Sequence, residues 1–177
     1  LDYSVTLANL TPATEYMYRV CDGARFSDTY YFKTAGADEW SFAVTGDFHE
    51  YYDTYGTDRA GNATKAVNAA IALADNQSLP SVEHIVSVGD IVAWGVSYNQ
   101  WQLVLNQSYI KNYSFANSIG NHDDMDRFGN SSSAYNSIVF NNPKNGYGDE
   151  VGTCFYYLYN NVLFIYINYL DPSAEAE

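Results

Sequence analysis

Positive charge is scarce in this chain: its 177 residues hold eight Lys and Arg against 21 Asp and Glu, a formal net charge of −13. Affinity for a nucleic-acid polymer rests on neutralising phosphates with basic side chains, and no basic patch appears anywhere, so that class of partner is excluded. A phosphorylated ligand would have to find its positive charge elsewhere, and bound metal ions are the usual source. Cysteine is almost as rare. Cys21 and Cys154 stand far apart and form no C-x-x-C pair, which removes zinc knuckles and dithiol redox motifs. No run reaches the ~18 consecutive apolar residues of a membrane helix, and no signal-like segment opens the chain at Leu1, so targeting is not legible. Hydrophobic residues nevertheless make up 47% and aromatic residues 17%, which suits one medium domain or one domain plus part of another. Abundant Tyr and Asn, scarce Lys and a pI near 4.3 lean towards an extracellular or cell-surface setting. Six N-x-S/T sequons start at Asn9, Asn62, Asn76, Asn106, Asn112 and Asn130, and in a chain this rich in Asn and Ser most arise by chance.

What is present changes character along the chain. Residues 3–34 alternate as strands do, in Tyr16 to Val20 and again in Thr29 to Phe32. Ala35-Gly36-Ala37-Asp38-Glu39 then breaks the alternation with small and acidic residues and marks a junction, dividing the chain into 1–36 and 37–177. Beyond it a strand is expected over Trp40 to Val44. A helix follows over Asp58 to Ala74, where Ala63, Ala66, Val67, Ala70, Ile71 and Ala74 recur at three- and four-residue spacing. Next come a strand Ile85 to Val88, a second amphipathic helix Tyr98 to Tyr109 and a strand Phe115 to Ile119. The last ordered stretch is a hairpin, Thr153 to Tyr159 and Val162 to Tyr169, turned by Asn160-Asn161, a pair that tolerates positive φ. Strands alternating with helices predict a layered α/β domain preceded by the end of an all-β unit.

Three of the predicted strands end alike. FAVTGDFH closes on Gly46-Asp47-Phe48-His49, IVSVGD on Gly89-Asp90 and FANSIGNHDD on Gly120-Asn121-His122-Asp123. Parallel strands joined by right-handed crossovers place such ends side by side, so the polar groups converge. Glycine permits the sharp turn that aims the next side chain across the sheet edge. Carboxylates from Asp47 and Asp90, imidazole from His49 and an amide oxygen from Asn121 suit a borderline-hard divalent or trivalent cation such as Zn, Mn or Fe. Asp47-x-His49 puts two ligands on one face of an extended segment, and Asp90 lies between the others in chain order and can bridge. Two ions ~3.5–4 Å apart can clamp a phosphoryl group and acidify a water.

In order and residue type, G-D-x-H, G-D and G-N-H-D resemble the first three motifs of the calcineurin-like metallophosphoesterases. L-T-P-A-T-E-Y-M-Y-R-V ahead of them resembles the end of a fibronectin-type-III-like sandwich, in which a tyrosine hydroxyl fastens a corner. The pairing of the two is similar to that in purple acid phosphatases. The resemblance covers most of residues 3–170 and implies two metal ions and a small phosphorylated substrate. It assigns Asp47, His49 and Asp90 to the first ion and Asp90 and Asn121 to the second. His122 would face the substrate as proton donor to the leaving oxygen, oriented by Asp123. There are two departures. The position three after Asp90, where purple acid phosphatases carry the tyrosine that gives their colour, is Ala93. The family's later histidine and G-H-x-H motif have no counterpart, since His49, His84 and His122 are the only histidines, and the chain is therefore expected to stop within its catalytic domain.

Other readings compete. Asp after a strand is ordinarily a turn former or helix cap, which would reduce the three motifs to architecture. His84, with no motif around it, is expected to be structural or at the surface. Trp94 and Tyr98 read as packing residues, Asp124 and Asp126 as solvated loop, and Arg59 and Arg127 as rim cations. An extracellular binding or adhesion module, or a metal-binding pseudoenzyme, stands as the alternative to a phosphoesterase, and metal content separates the first of these from the enzyme.

Overall fold

The structure of the protein, a computed structural model, describes residues 3–51, 59, 61–125, 128–129 and 134–171. It opens on an antiparallel pair, β1 (Glu15–Tyr18) and β2 (Tyr30–Lys33), in register from Glu15 opposite Lys33 to Tyr18 opposite Tyr30. Tyr16 stacks on Phe32 across the pair, and its hydroxyl accepts the Thr11 amide at 2.8 Å, fastening the chain ahead of β1. This hairpin is tied to the rest of the protein. Tyr18 donates its hydroxyl to the Lys111 carbonyl at 2.7 Å, the Tyr31 amide donates to Asn112 Oδ1 at 3.0 Å, and Lys33 pairs with the buried carboxylate of Glu83.

Three parallel strands follow, in the order β3 (Ser41–Thr45), β4 (Val82–Ser87) and β5 (Ser114–Asn117). β4 is central and buried from Glu83 to Ser87, as expected of a strand covered on both faces. Alternate side chains serve different layers. Ile85 packs with Ala63 and Val67 of helix α1 (Asn62–Asn76) and with Tyr109, while Val86 and Ala116 pack with Phe155 and Tyr166 on the opposite face. The latter two belong to the hairpin β6 (Phe155–Tyr159) and β7 (Val162–Tyr166), whose turn holds Asn160 and Asn161 at φ of 47° and 65°. The hairpin's outer face, with Leu158, Leu163 and Ile165, is exposed. The result is a mixed α/β arrangement with a parallel sheet between helices on one side and a β-hairpin on the other.

Helix α1 keeps the expected period, burying Ala63, Val67 and Ala74, and begins at Asn62; Asp58, the predicted start, lies outside the described residues, as do Asp126 and Arg127. The single helix expected over Tyr98 to Tyr109 is two: α2 (Tyr98–Leu105) and α3 (Ser108–Asn112). Gln107 breaks it. Its backbone is extended, at ψ 141°, and its side chain turns back to donate to the Leu103 carbonyl while accepting the Thr64 hydroxyl. Amphipathic spacing continues across the break, which hides it from a periodicity argument. Two short helices, α4 (Asn121–Asp124) and α5 (Ala134–Phe140), complete the fold, with Val139 and Phe140 of α5 packing against Ile91, Val92, Trp101 and Val104.

His84 is structural and 1% exposed. Its Nδ1 meets the Ser114 carbonyl at 3.1 Å; a carbonyl only accepts, so Nδ1 carries the proton and Nε2 accepts the Tyr157 hydroxyl at 2.6 Å. Burial pushes the imidazole below its ordinary titration range, with the Ser114 carbonyl opposing that shift. The unfolded chain therefore binds a proton here before the folded one does. Stability that is present above the ordinary imidazole pKa is lost as pH falls through it. Thermal unfolding between about pH 7.5 and about pH 5.5 should show a smaller drop in Tm for His84→Gln than for the parent chain.

Candidate metal centre

The carboxyl ends of β3, β4 and β5 meet at one edge because glycines let them. A Cβ on Gly89 would lie 2.6 Å from the Gly120 nitrogen, and one on Gly120 would lie 2.2 Å from Asp90 Oδ1 and 2.4 Å from the Asp90 nitrogen. No side chain fits in either place. Conformational freedom is needed only at Gly89, with φ of +104°; Gly46 is not in the left-handed region and Gly120 sits at φ −99°. The expected reason for the glycines is thus corrected at two of the three motifs: at Gly120 the Asp90 backbone and carboxylate leave no room, and at Gly46 a Cβ would fall 2.5 Å from the Val88 side chain.

The left-handed conformations fall on the polar residues instead. Asp47, His49 and Asp90 have φ of 60°, 48° and 54°. The segment 46–50 is not extended, so Asp47 and His49 are not brought together by strand alternation as expected. Two successive left-handed residues separated by Phe48 bend the chain, and His49 Nε2 lies 2.8 Å from Asp47 Oδ1. The same nitrogen is 3.8 Å from Asp90 Oδ2, which places both carboxylates around one imidazole. The bend is held by pairing with the next segment: the Asp47, His49 and Glu50 amides donate to the carbonyls of Gly89, Asp90 and Ile91 at 2.9, 3.0 and 2.8 Å.

His122 joins this cluster. Its ring centroid is 4.1 Å from that of His49, its amide donates to Asp90 Oδ1 at 2.8 Å, and one ligand atom from each of His49, Asp90 and His122 falls within 4.8 Å of the others. Asn121 and His122 are not neighbours on an extended segment, because α4 begins at Asn121, which is half-buried. His122 Nδ1 is 2.9 Å from the Ala93 carbonyl and must donate to it, leaving Nε2 as the working nitrogen. Trp94 flanks the same imidazole at 5.8 Å.

Asp123 has a different job from the one expected of it. The carboxylate is buried and accepts backbone amides from both sides: Asp90 and Gly120 on Oδ2 at 2.9 and 3.0 Å, Ile91 and Val92 on Oδ1 at 2.9 and 3.2 Å. It binds the second motif to the third, and the orienting partner of His122 is the Ala93 carbonyl. Burial pushes the Asp123 carboxyl up to about 6, against the pull of the Gly120, Val92 and Ile91 amides and with Asp90 adding repulsion. Asp124 is buried too, not solvated. Glu50, adjacent to His49, is fully buried and was not singled out by its sequence context, since a lone acid beside a motif carries no periodic signal.

The donor set suits a metal ion. Carboxylate and imidazole donors converge at a partly exposed edge, with His49 Nε2 between the Asp47 and Asp90 carboxylates and His122 Nε2 left open by the Nδ1 bond to Ala93.

The family model for calcineurin-like phosphoesterases matches residues 41–172, and the chain belongs to that family. The model for the N-terminal domain of purple acid phosphatases matches residues 1–34 ahead of it. Among solved structures the chain resembles the purple acid phosphatase PPD1 from yellow lupin (Lupinus luteus) seeds, with a TM-score of 0.60 and 14% identity over 89% of this chain. It spans 30% of that lupin chain. No curated protein matches it.

Crowding at the strand ends sets an expectation. Gly120→Ala must push Asp90 away, which should lower Tm, cost about 1–3 kcal/mol as overpacking does, and weaken metal binding. Gly23→Ala, in open space at φ +97°, should strain the backbone without touching metal affinity. Denaturation curves and metal titration of the two variants check this.

Proposed function

We propose that the protein hydrolyses a small phosphorylated substrate at the edge formed by Asp47, His49, Asp90, Asn121 and His122, using two metal ions of the Fe, Zn or Mn class. The observation that carries this is the meeting of His49, Asp90 and His122, with Asp47 beside them, at the carboxyl ends of adjacent parallel strands. Family membership supports metal-dependent phosphoester chemistry, and the scarcity of Lys and Arg leaves metal as the main source of positive charge.

Asp47, His49 and Asp90 would hold the first ion, and Asp90 and Asn121 the second. When bound, such ions neutralise phosphoryl charge and acidify a water. The chain's own residues do the rest. Asp123 accepts the Asp90 amide and the His122 amide donates to Asp90 Oδ1, which hold that carboxylate at the edge. His122, its Nδ1 proton committed to Ala93, would deliver the second proton of its imidazolium form from Nε2 to the leaving oxygen. The partly buried Trp94 beside it walls one side of the site. Residues 1–36 act as an N-terminal unit of fibronectin-like character, joined to the α/β part through Tyr18, Tyr31 and Lys33, and the setting is extracellular or cell-surface.

One observation favours a second role for His122: a histidine whose Nδ1–H is held by a backbone carbonyl is arranged as metal-bound histidines are, and its ligand atom is already close to those of His49 and Asp90. Metal analysis beside kinetics on the protein separates the two. As a proton donor, His122→Ala lowers kcat by roughly 10²–10⁴ with metal content nearly unchanged. Asn121→Ala lowers occupancy of the second ion. Loss of metal in His122→Ala, with both ions kept in Asn121→Ala, overturns the assignment, and absence of any bound metal in the parent overturns the metallophosphoesterase reading.

A further inference from the structure

Helix α1 has no cap of its own. Gly61 stands at its N-cap position with φ of 81° and has no side chain to cap the helix, whose first turn holds no acidic residue. The amides of a helix's first turn need acceptors and favour negative charge. Here the acceptor comes from eleven residues upstream: Glu50 Oε2 takes the Gly61 amide at 2.9 Å and Oε1 takes the Ala63 amide at 3.0 Å. Glu50 is 0% exposed, and a carboxylate is buried so completely only when it is well satisfied. Its own amide donates to the Ile91 carbonyl at 2.8 Å, so the residue is fixed at both backbone and side chain.

Its neighbour in sequence is His49, held at φ 48°, and Asp47 at φ 60° precedes that. Non-glycine residues in this region carry strain of order 1 kcal/mol each and persist only where the surroundings over-determine them. The three amide-to-carbonyl bonds along 47–50 hold one side of the bend. From these contacts we infer that Glu50 is a positioning residue for the metal centre: its carboxylate, docked on the N-terminus of α1, locks the end of the D-x-H segment so that Asp47 and His49 keep ligand geometry in the absence of an ion. Asp123 does the equivalent for Asp90 and Gly120. The two buried carboxylates thus anchor the two ligand-bearing segments from behind. Neither is a ligand, and Glu50 acts through His49. The inference rests on the metal-centre reading for its consequence and on the contacts alone for the anchor.

The test uses the 177-residue chain with Co(II), whose d–d absorption reports ligand geometry, and compares Glu50→Gln and Glu50→Ala with Val67→Ala. Val67 is buried in α1 and contributes only packing, so its variant controls for general loss of stability. Gln keeps one acceptor and Ala none, and Co(II) affinity should fall in that order, by about 10–100-fold in total. Val67→Ala should stay within about threefold of the parent at a comparable loss of Tm. Hydrogen exchange on the metal-free chain reads the anchor by itself. Glu50→Gln should speed exchange at Gly61, Ala63 and His49 by about tenfold relative to Val67→Ala, as loss of one buried hydrogen bond implies. Unchanged exchange in Glu50→Gln, or equal weakening of Co(II) by Val67→Ala, overturns the positioning role. A parent chain that binds no Co(II) overturns the metal centre instead, and the exchange data still decide the anchor. If Glu50→Ala does not fold, Glu50→Gln carries both measurements.

Discussion

A single buried carboxylate, that of Asp123, receives the backbone amides of Asp90, Ile91, Val92 and Gly120. Four donors on two oxygens make it the point through which β4 and β5 agree on where they end. Without it those amides would be buried without acceptors, each at a cost of about 1–3 kcal/mol, and Asp90 would lose the conformation that turns it towards His49. The Gly89–Gly120 contact follows from the same agreement, since amides from both segments reach one side chain only if the backbones nearly touch. The sheet edge is therefore built around an anion, and that requirement constrains which side chains can surround it. Asp90 faces outward towards His49 while Asp123 faces inward, and this division keeps two carboxylates of neighbouring segments from competing for one role.

How far this was legible in the sequence depends on the range of the interactions. Helix α1, the parallel strands and the Asn160-Asn161 turn were readable because each is set by local period or by the φ preference of one residue pair. The convergence of Asp47, His49 and Asp90 was readable as topology, since strand ends of a parallel sheet share an edge. The conformations that achieve it were not. Left-handed φ at Asp47, His49 and Asp90 is imposed by hydrogen bonds to the neighbouring segment and to Asp123, none of which has a sequence signature. The same limit explains Asp123 itself. Next to His122 in the chain it looks like that residue's partner, yet α4 turns it into the interior, and Ala93, twenty-nine positions upstream, supplies a carbonyl instead.

Ala93 illustrates a further economy. A side chain with a donor atom at that position would compete for the edge, whereas alanine is buried and contributes only its backbone. Its amide is taken by Gln100 Oε1 at 3.0 Å and its carbonyl by His122, so the residue is hydrogen-bonded through main chain at both ends. The His122 tautomer is thereby written into backbone geometry, which no substitution of Ala93 removes directly, since every residue keeps its carbonyl. Position 95 completes the arrangement: the Gly95 amide donates to the His122 carbonyl at 2.8 Å, and a Cβ there would fall 1.9 Å from the Asp123 carbonyl oxygen. The second motif thus holds the third along its whole length, and His122 is gripped through its ring, its amide and its carbonyl.

The residue types at the edge meet two demands at once. A metal centre of oxygen and nitrogen donors asks for Asp, His and Asn, which are also the non-glycine residues that best tolerate the left-handed region. Had the centre required Glu in place of Asp47 or Asp90, the longer side chain would reach past His49 and the backbone strain at φ near +60° would be greater. Had glycine taken those positions to relieve the strain, no donor side chain would remain. The solution adopted puts glycine one residue earlier, where space is the constraint at Gly46 and both space and a positive φ at Gly89, and places the candidate donor itself in the strained conformation. Main-chain bonds and two buried carboxylates then offset strain of order 1 kcal/mol at each of the three positions. These offsets are all contacts within the chain, so the edge is specified by the same hydrogen bonds that join its segments.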